Sequence, residues 1–526
     1  MVDPALLRVY QNLLDSVAEQ MGSALERTGY SPNIKERRDY SCAVFDAAGE
    51  MIAHAAHIPV HLGSTQLSVE AAIARGDLGP GDVVLLNDPY AGGTHLPDLT
   101  VVTGVFEPDR DAPTYWVANR AHHADVGGAV RGSMALFTEI YQEGLRLPPI
   151  KIVEAGEVVP DALTILLANM RQPDERAGDL RAQWAALEVG RVQLLQWLEG
   201  SRRAELLEYG DHLKDAATRS VESFLAELPD GRYAASDTLD GDGIDEGPIE
   251  IRVELTVTDR TLTVDFAGTA PAVRGCLNAN PAIVRSAVFY VLRALAGTEL
   301  PANAGLLRPI TISIPSGSLL DPHPPAAVAG GNVETSQRLV DVLLEAFSAA
   351  LPDRTPAQSQ GTMNNVTFGS PAGPRGGFSY YETIGGGAGA GPWGPGGSAL
   401  HSHMTNTRNT PIEALEHATA LRVTEYSIRR GSGGAGRHRG GDGIVREFEA
   451  LAPVEVALLT ERRERAPAGR AGGEPGAVGR NAHRVRSDAT REEFEERELP
   501  GKHSGALAAG DRLRLETPGG GGWGAT

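Results

Sequence analysis

Residues 4 to about 28 place Leu6, Leu7, Tyr10, Leu13, Leu14, Val17, Met21 and Leu25 on one stripe of a helix, with Pro4 in its first turn. Runs of period 2 at 41–46 and 50–54, separated by Ala47-Ala48-Gly49, predict a β-hairpin. A helix near 65–75 and a strand at 82–87 follow. The runs 98–106 and 114–119 flank a polar turn holding Pro108 and Pro113, which predicts a second hairpin centred near residue 110. In that pairing Asp98 lies opposite His122, and His95 opposite Asp125.

Between about 159 and 228 the apolar period lengthens to that of helices, with Leu180, Trp184, Leu187, Val192, Leu195 and Trp197 in one segment and Leu206, Leu213, Val221, Phe224 and Leu225 in the next. Residues 249–266 alternate around Asp259-Arg260 as a hairpin, while 281–296 and 335–347 read as helices. Beyond 360 the chain is rich in glycine and strands, and no fixed-period repeat marks a solenoid. The pattern predicts an α+β fold of multi-layer mixed sheets with helices and several intimately packed subdomains. The expected division is 1–230, 231–360 and 361–526.

Composition narrows the function classes. The formal charge of −20 is spread along the chain and disfavours nucleic acid or an anionic membrane as partner. Lys35, Lys151, Lys214 and Lys502 are the only lysines. Two cysteines, Cys42 and Cys276, make neither a disulfide framework nor a CxxC motif. With no basic start followed by an apolar run, and no apolar stretch long enough to span a bilayer, a cytoplasmic location is expected.

Two histidine-bearing segments flank the second hairpin: Asn87-Asp-Pro-Tyr-Ala-Gly-Gly-Thr-His-Leu-Pro-Asp98 and Arg120-Ala-His-His-Ala-Asp-Val-Gly-Gly128. Their convergence at one end of the ladder brings two imidazoles and one or two carboxylates together, the donor set of a divalent metal with open coordination positions. Mn, Fe or Zn suits such a set, and the open positions polarise a carbonyl or acidify a water. The competing reading is a polar turn in which the histidines only form hydrogen bonds.

Three further clusters stand out. His54-Ala-Ala-His57-Ile-Pro-Val-His61 carries three imidazoles, but Pro59 breaks the helix that would align them, leaving His57 and His61 as ligands or as groups lining a substrate pocket. His401-Ser-His403 puts two imidazoles on one side of an extended segment, ahead of Thr405, Asn406, Thr407 and Arg408, a set able to bind an oxyanion. Gly431-Ser-Gly433-Gly-Ala-Gly436 matches GxGxxG, yet Arg437-His-Arg-Gly-Gly follows where a helix should start, so a structural turn is the better reading. No GxxxxGK[ST] nucleotide loop, GxSxG elbow or HExxH helix occurs.

Taken in order, 55–64, 87–98, 121–128, Gly330-Gly-Asn-Val-Glu-Thr-Ser-Gln-Arg338, Gly361-Thr-Met-Asn-Asn365, 401–408, 429–434 and 517–522 resemble the signatures of the hydantoinase B/oxoprolinase family across the whole chain. The resemblance implies ATP-dependent opening of hydantoin, N-methylhydantoin or 5-oxoproline rings. It implies a hetero-oligomer in which a hydantoinase A-type ATPase partner phosphorylates the small cyclic imide or lactam substrate. Related acetone and acetophenone carboxylases carry a metal in the homologous subunit. Carried onto this chain, the resemblance makes His95, Asp98 and His122 the expected ligands, with His123 as the alternate imidazole. Asp125, His57 and His403 are expected to serve catalysis, and His61, Gly386, Gly387, His401, Asn406 and Arg408 to bind the substrate or its phosphoryl group. Two other readings stay open: a carboxylase component, and a non-catalytic scaffold for the ATPase.

Overall fold

The computed structural model describes residues 2–55, 57–199, 202–297, 300–372, 377–486 and 493–526. Its largest sheet is built from β1 (Tyr40–Asp46), β2 (Met51–His54), β3 (Val83–Leu86), β4 (Asp98–Val105), β5 (Tyr115–His122), β6 (Ile150–Glu154) and β7 (Glu157–Val158), in the spatial order β2-β1-β5-β4-β3-β6-β7. β4 and β5 are buried along their whole length because both faces of the sheet are covered. Alternate residues therefore divide between two cores: Val102, Trp116 and Ala118 join one, and Leu99, Val101 and Val117 join the other.

The helix Pro4–Thr28 starts where the Asp3 carboxylate accepts a hydrogen bond from the Ala5 N–H, and it buries Leu14, Val17, Met21 and Leu25. It packs with the helix Pro173–Leu198 against one face of the sheet. The opposite face meets the helix Thr65–Ile73 and joins the core that holds the helices Pro281–Ala296 and Ser336–Ser348, which carry the apolar stripes read from the sequence. A four-stranded sheet holds the hairpin Ile249–Thr258 and Thr261–Asp265 and packs into the same core.

A third core joins the remaining two sheets, of four and five strands, which lie in the C-terminal part of the chain. The core on the helix Pro281–Ala296 runs from Ala43 to Leu459 and so draws on all three expected regions. The fold is the mixed α+β arrangement of packed subdomains that the pattern predicts. Among the described residues no helix is long and apolar enough to cross a membrane.

Candidate metal centre

The hairpin of β4 and β5 pairs in the expected register, with Asp98 directly opposite His122. Paired residues project to the same face, so both side chains leave the ladder together. His95 precedes β4 in a turn closed by the Asp98 N–H on the His95 carbonyl at 3.1 Å. That turn brings His95 Nε2 to 3.1 Å from Asp98 Oδ1, and His122 Nδ1 lies 3.2 Å from the same oxygen. One ligand atom from each of the three residues falls within 4.8 Å of the others, and all three residues are buried.

The other carboxylate oxygen is held separately. Asp98 Oδ2 accepts from Thr94 Oγ1 at 3.0 Å and meets His61 Nε2 at 3.3 Å, while His61 Nδ1 contacts Ser41 Oγ at 2.9 Å. His61, offered by the sequence as a pocket group, therefore orients the carboxylate. Burial would raise the Asp98 carboxyl, but the His95 and His61 imidazoles and the hydrogen bonds with His122 and His61 outweigh it and hold the group well below the usual carboxylate range. Burial lowers the His122 imidazole despite its hydrogen bond to Asp98. An ionised carboxylate thus faces a neutral imidazole, the forms that bind a metal.

His95 supplies the test of fit. Its Nδ1 lies 3.3 Å from the Ala329 carbonyl, which can only accept, so Nδ1 carries a proton and turns Nε2 toward Asp98. Nε2 lies 3.1 Å from both the Asn332 amide nitrogen and Asp98 Oδ1. A proton on Nε2, or a cation held between Nε2 and Oδ1, removes their repulsion. His122 Nε2 is buried with no hydrogen-bond partner among the described residues. Beside the cluster lies a cavity of about 20 Å³, bordered by His61, Asp98, His122, Asp39, Tyr381 and Thr407. That is room for about one water or one ion.

Several expected residues lie elsewhere. His123 lies just past the end of β5 and turns to the other side of the sheet, where its Nε2 meets Gln183 Oε1 of the helix Pro173–Leu198 at 2.9 Å. This settles which imidazole of the pair turns inward. Asp125 does not face His95, because the ladder ends at His122 and the chain turns away. Its carboxylate accepts from the Gly127 and Gly132 N–H groups and pairs with Arg171 at 3.1 Å, fixing a turn.

His403, in a left-handed backbone conformation, meets Tyr290 Oη at 3.3 Å and lies 3.7 Å from Asp341, and it lines neither the cavity nor the surface cleft beyond it. His401 has both ring nitrogens buried without a hydrogen-bond partner among the described residues, and burial holds its imidazole down at about 4. His57, Asn406 and Arg408 line the surface cleft together.

Gly386 and Gly387 do not form an anion cradle. Their N–H groups are spent on the Leu400 and Pro518 carbonyls, at 2.9 and 3.0 Å. Segments around 387, 441 and 520 lie backbone against backbone, and a Cβ on Gly387 would stand 2.0 Å from the Gly441 oxygen. The glycines at 433–436 belong to the same stack, with Gly434 N–H on the Gly520 carbonyl at 2.9 Å, and the element that follows them is the strand Gly443–Ala450. Glycine is required there by packing density, and the amides an anion would need are occupied.

The sequence reading passed over Asp39, Asn332, Tyr381 and Glu143. Asp39 precedes β1 and its backbone carbonyl accepts from the His122 N–H at 3.0 Å, which brings its carboxylate to the cavity wall. The Tyr381 ring stacks on His122 with centroids 4.6 Å apart, and its hydroxyl donates to Asn365 at 2.7 Å. Asn332 lies in the quoted Gly330-Gly-Asn segment, the one available signal for it. Nothing local marks Asp39 or Tyr381, whose roles arise from distant strand pairing.

A mixed α+β fold with a buried His–Asp–His cluster at the end of a central hairpin defines the class. The chain belongs to the hydantoinase B/oxoprolinase family, whose model matches residues 3–526. It is 40% identical to 5-oxoprolinase 1 of Arabidopsis thaliana over 99% of this chain and 42% of the relative. A component of a putative D-/L-hydantoinase from a Pseudomonas species is 30% identical, over 99% of this chain and 90% of the relative. The chain thus spans about two fifths of the eukaryotic relatives it matches and nearly all of the bacterial component. Among solved structures, the ATP-dependent caprolactamase from Pseudomonas jessenii superposes with a TM-score of 0.90 at 28% identity, covering 100% of this chain and 92% of that one. An acetone carboxylase shares the fold, with a TM-score of 0.88 at 17% identity over 99% of this chain and 76% of that one.

Proposed function

We propose that this chain is the ring-opening component of an ATP-dependent cyclic amide hydrolase acting on hydantoin, N-methylhydantoin or 5-oxoproline-type rings. The observation that carries the reading is the buried His95–Asp98–His122 cluster beside an ion-sized cavity. Relatives named 5-oxoprolinase and caprolactamase support the substrate class. ATP is used by a hydantoinase A-type ATPase partner.

His95, Asp98 and His122 would hold a divalent Mn, Fe or Zn ion, which supplies Lewis-acid polarisation and lowers the pKa of a bound water. His61 and Thr94 keep the Asp98 carboxylate aimed, and the Ala329 carbonyl fixes the His95 ring. Phosphorylation of the ring oxygen by the partner turns an inert amide into an imidate phosphate. Water adds at its carbon, with Asp39 placed to take the proton, and the C–N bond breaks as the nitrogen is protonated. The resulting acyl phosphate takes up a second water and gives carboxylate and inorganic phosphate. His57, Asn406 and Arg408 serve the same substrate from the surface cleft. On this reading the chain works in a cytoplasmic hetero-oligomer.

Reconstitution with the purified ATPase partner tests this. Ring opening coupled to ATP cleavage is expected with the wild-type chain, and His95→Ala is expected to lower it at least 100-fold, about 3 kcal/mol of transition-state stabilisation. Full activity in His95→Ala would refute the site. Incorporation of labelled bicarbonate in place of hydrolysis would make the chain a carboxylase component.

A further inference from the structure

Besides Asp98 and His122, the ion-sized cavity is bordered by three threonines. Thr383 directly follows the strand Phe378–Glu382, and Thr405 and Thr407 lie two apart on the irregular segment before the helix Ile412–Ala418. They are only 1, 3 and 5% exposed. Their hydroxyls touch in series: Thr383 Oγ1 is 2.7 Å from Thr407 Oγ1, which is 3.3 Å from Thr405 Oγ1. At the far end of the series stands Arg37, fully buried, whose Nη2 donates to Thr383 Oγ1 at 3.1 Å.

A guanidinium can only donate, and this sets the direction of the chain. Thr383 accepts from Arg37 and has its own hydrogen to give to Thr407. Thr407 passes its hydrogen to Thr405, which also accepts the Thr407 N–H at 3.4 Å. The Thr405 hydrogen is then left without an acceptor among the described residues, and Thr405 borders the cavity. Each link polarises the next, so the chain carries the pull of a buried cation to a free O–H donor. Arg37 is fixed at its head by the Tyr381 carbonyl at 2.7 Å and Asn33 Oδ1 at 3.3 Å, while Asp39 Oδ2 lies 3.7 Å away, beyond hydrogen-bond reach. The cavity is thus bordered by an acceptor, the Asp39 carboxylate, and by a donor, the Thr405 hydroxyl, with room for one oxygen atom.

We propose that the Arg37–Thr383–Thr407–Thr405 chain holds the oxygen of the attacking water and stabilises the negative charge it gains as it reacts. The inference rests on the ring-opening reading above, in which water is the nucleophile and Asp39 its base. In that step an O–H bond of the water breaks and its proton passes to the Asp39 carboxylate. The oxygen's electron pair forms the new C–O bond at the ring carbon, and the C=N pair moves to the nitrogen. Until the bond closes the oxygen carries charge, which a donor at the end of a cationic chain favours over neutral water. Thr405 touches the reacting oxygen, and Arg37 acts through the hydroxyls as a positioning residue.

Fluoride is close to an oxygen atom in size and accepts hydrogen bonds as hydroxide does, so calorimetric titration of the purified chain with sodium fluoride tests the arrangement without turnover. Metal content and melting temperature are measured for every variant. The wild type is expected to bind fluoride saturably and the larger chloride at least tenfold more weakly. Thr405→Val should weaken fluoride about tenfold at unchanged metal content, and Thr405→Ser, which keeps the hydroxyl, should bind as the wild type does. Thr383→Val cuts the chain two links from the cavity and should weaken fluoride about threefold, an effect that a purely local hydroxyl would not show. It also gives a second reading should Thr405→Val not fold. In the reconstituted enzyme Thr405→Val should lower kcat about 100-fold with KM unchanged. No saturable fluoride binding in the wild type, chloride bound as tightly as fluoride, or full fluoride affinity in Thr405→Val overturns the proposal. Full affinity in Thr383→Val overturns the role of Arg37. Failure of the ring-opening reading appears instead as absent ATP-coupled hydrolysis in the reconstituted wild type, a separate measurement.

Discussion

Glu143 acts on the candidate centre without touching it. Its Oε1 accepts the Val328 and Ala329 N–H groups at 2.7 and 2.8 Å, and the Ala329 carbonyl in turn fixes the His95 ring. Burial pushes the Glu143 carboxyl up to about 8 against those two hydrogen bonds, so the group is neutral near pH 7. A neutral amide of the same shape should replace it. Glu143→Gln is expected to keep stability within about 1 kcal/mol and to retain metal. Glu143→Ala leaves two buried N–H groups unpaired and should cost about 3 kcal/mol, with metal affinity about tenfold weaker. Urea denaturation and metal titration of the two variants check this, and equal losses in both would show that the hydrogen-bond acceptor is not what matters.

At the scale of elements, the hairpin of β4 and β5 was legible because its two apolar runs and its proline-bearing turn leave one register, and that register delivers Asp98 to His122. The choice between His122 and His123 was not legible: it follows from the ladder, which pairs His122 with Asp98, and from the contact of His123 with Gln183. The helix Pro281–Ala296 matches its apolar run residue for residue. What was not legible depends on chain segments far apart in sequence. Tyr381 reaches His122 through a separate sheet, and Asn332 reaches His95 through the turn ahead of the helix Ser336–Ser348. The glycine segments misled for a related reason. A run of glycines offers free amides only until another backbone takes them, and here Pro518, Gly441 and Gly520 lie against Gly387. Gly387→Ala should destabilise the chain by about 3 kcal/mol through overpacking. Gly394, with nothing within 4 Å of a built Cβ, should tolerate alanine with little change in melting temperature. Comparable melting points for both variants would contradict the backbone stack.

For the whole molecule, the buried titratable groups set a pH window. Burial lowers His54 to about 3 and His57 and His401 to about 4, from an ordinary 6.5. Their contribution is complete above pH 6.5 and is lost as pH falls through those values, because the unfolded chain binds protons that the folded one refuses. Glu143 and Glu334 behave oppositely. Burial raises them from 4.5 to about 8 and about 7, so their contribution is complete below pH 4.5 and is lost as pH rises through 7 to 8. Stability should therefore fall by about 2 kcal/mol between pH 6.5 and 8, and Glu143→Gln with Glu334→Gln should flatten that limb. Urea midpoints across this range give the answer, and an unchanged slope in the double variant would assign the limb to other groups. The central claim, that His95, Asp98 and His122 form a divalent metal site, is tested most directly by elemental analysis of the purified chain beside Asp98→Ala and His123→Ala. The account predicts near-stoichiometric Mn, Fe or Zn in the wild type and in His123→Ala, and loss of the metal in Asp98→Ala. Metal absent from all three, or retained in Asp98→Ala, would contradict it.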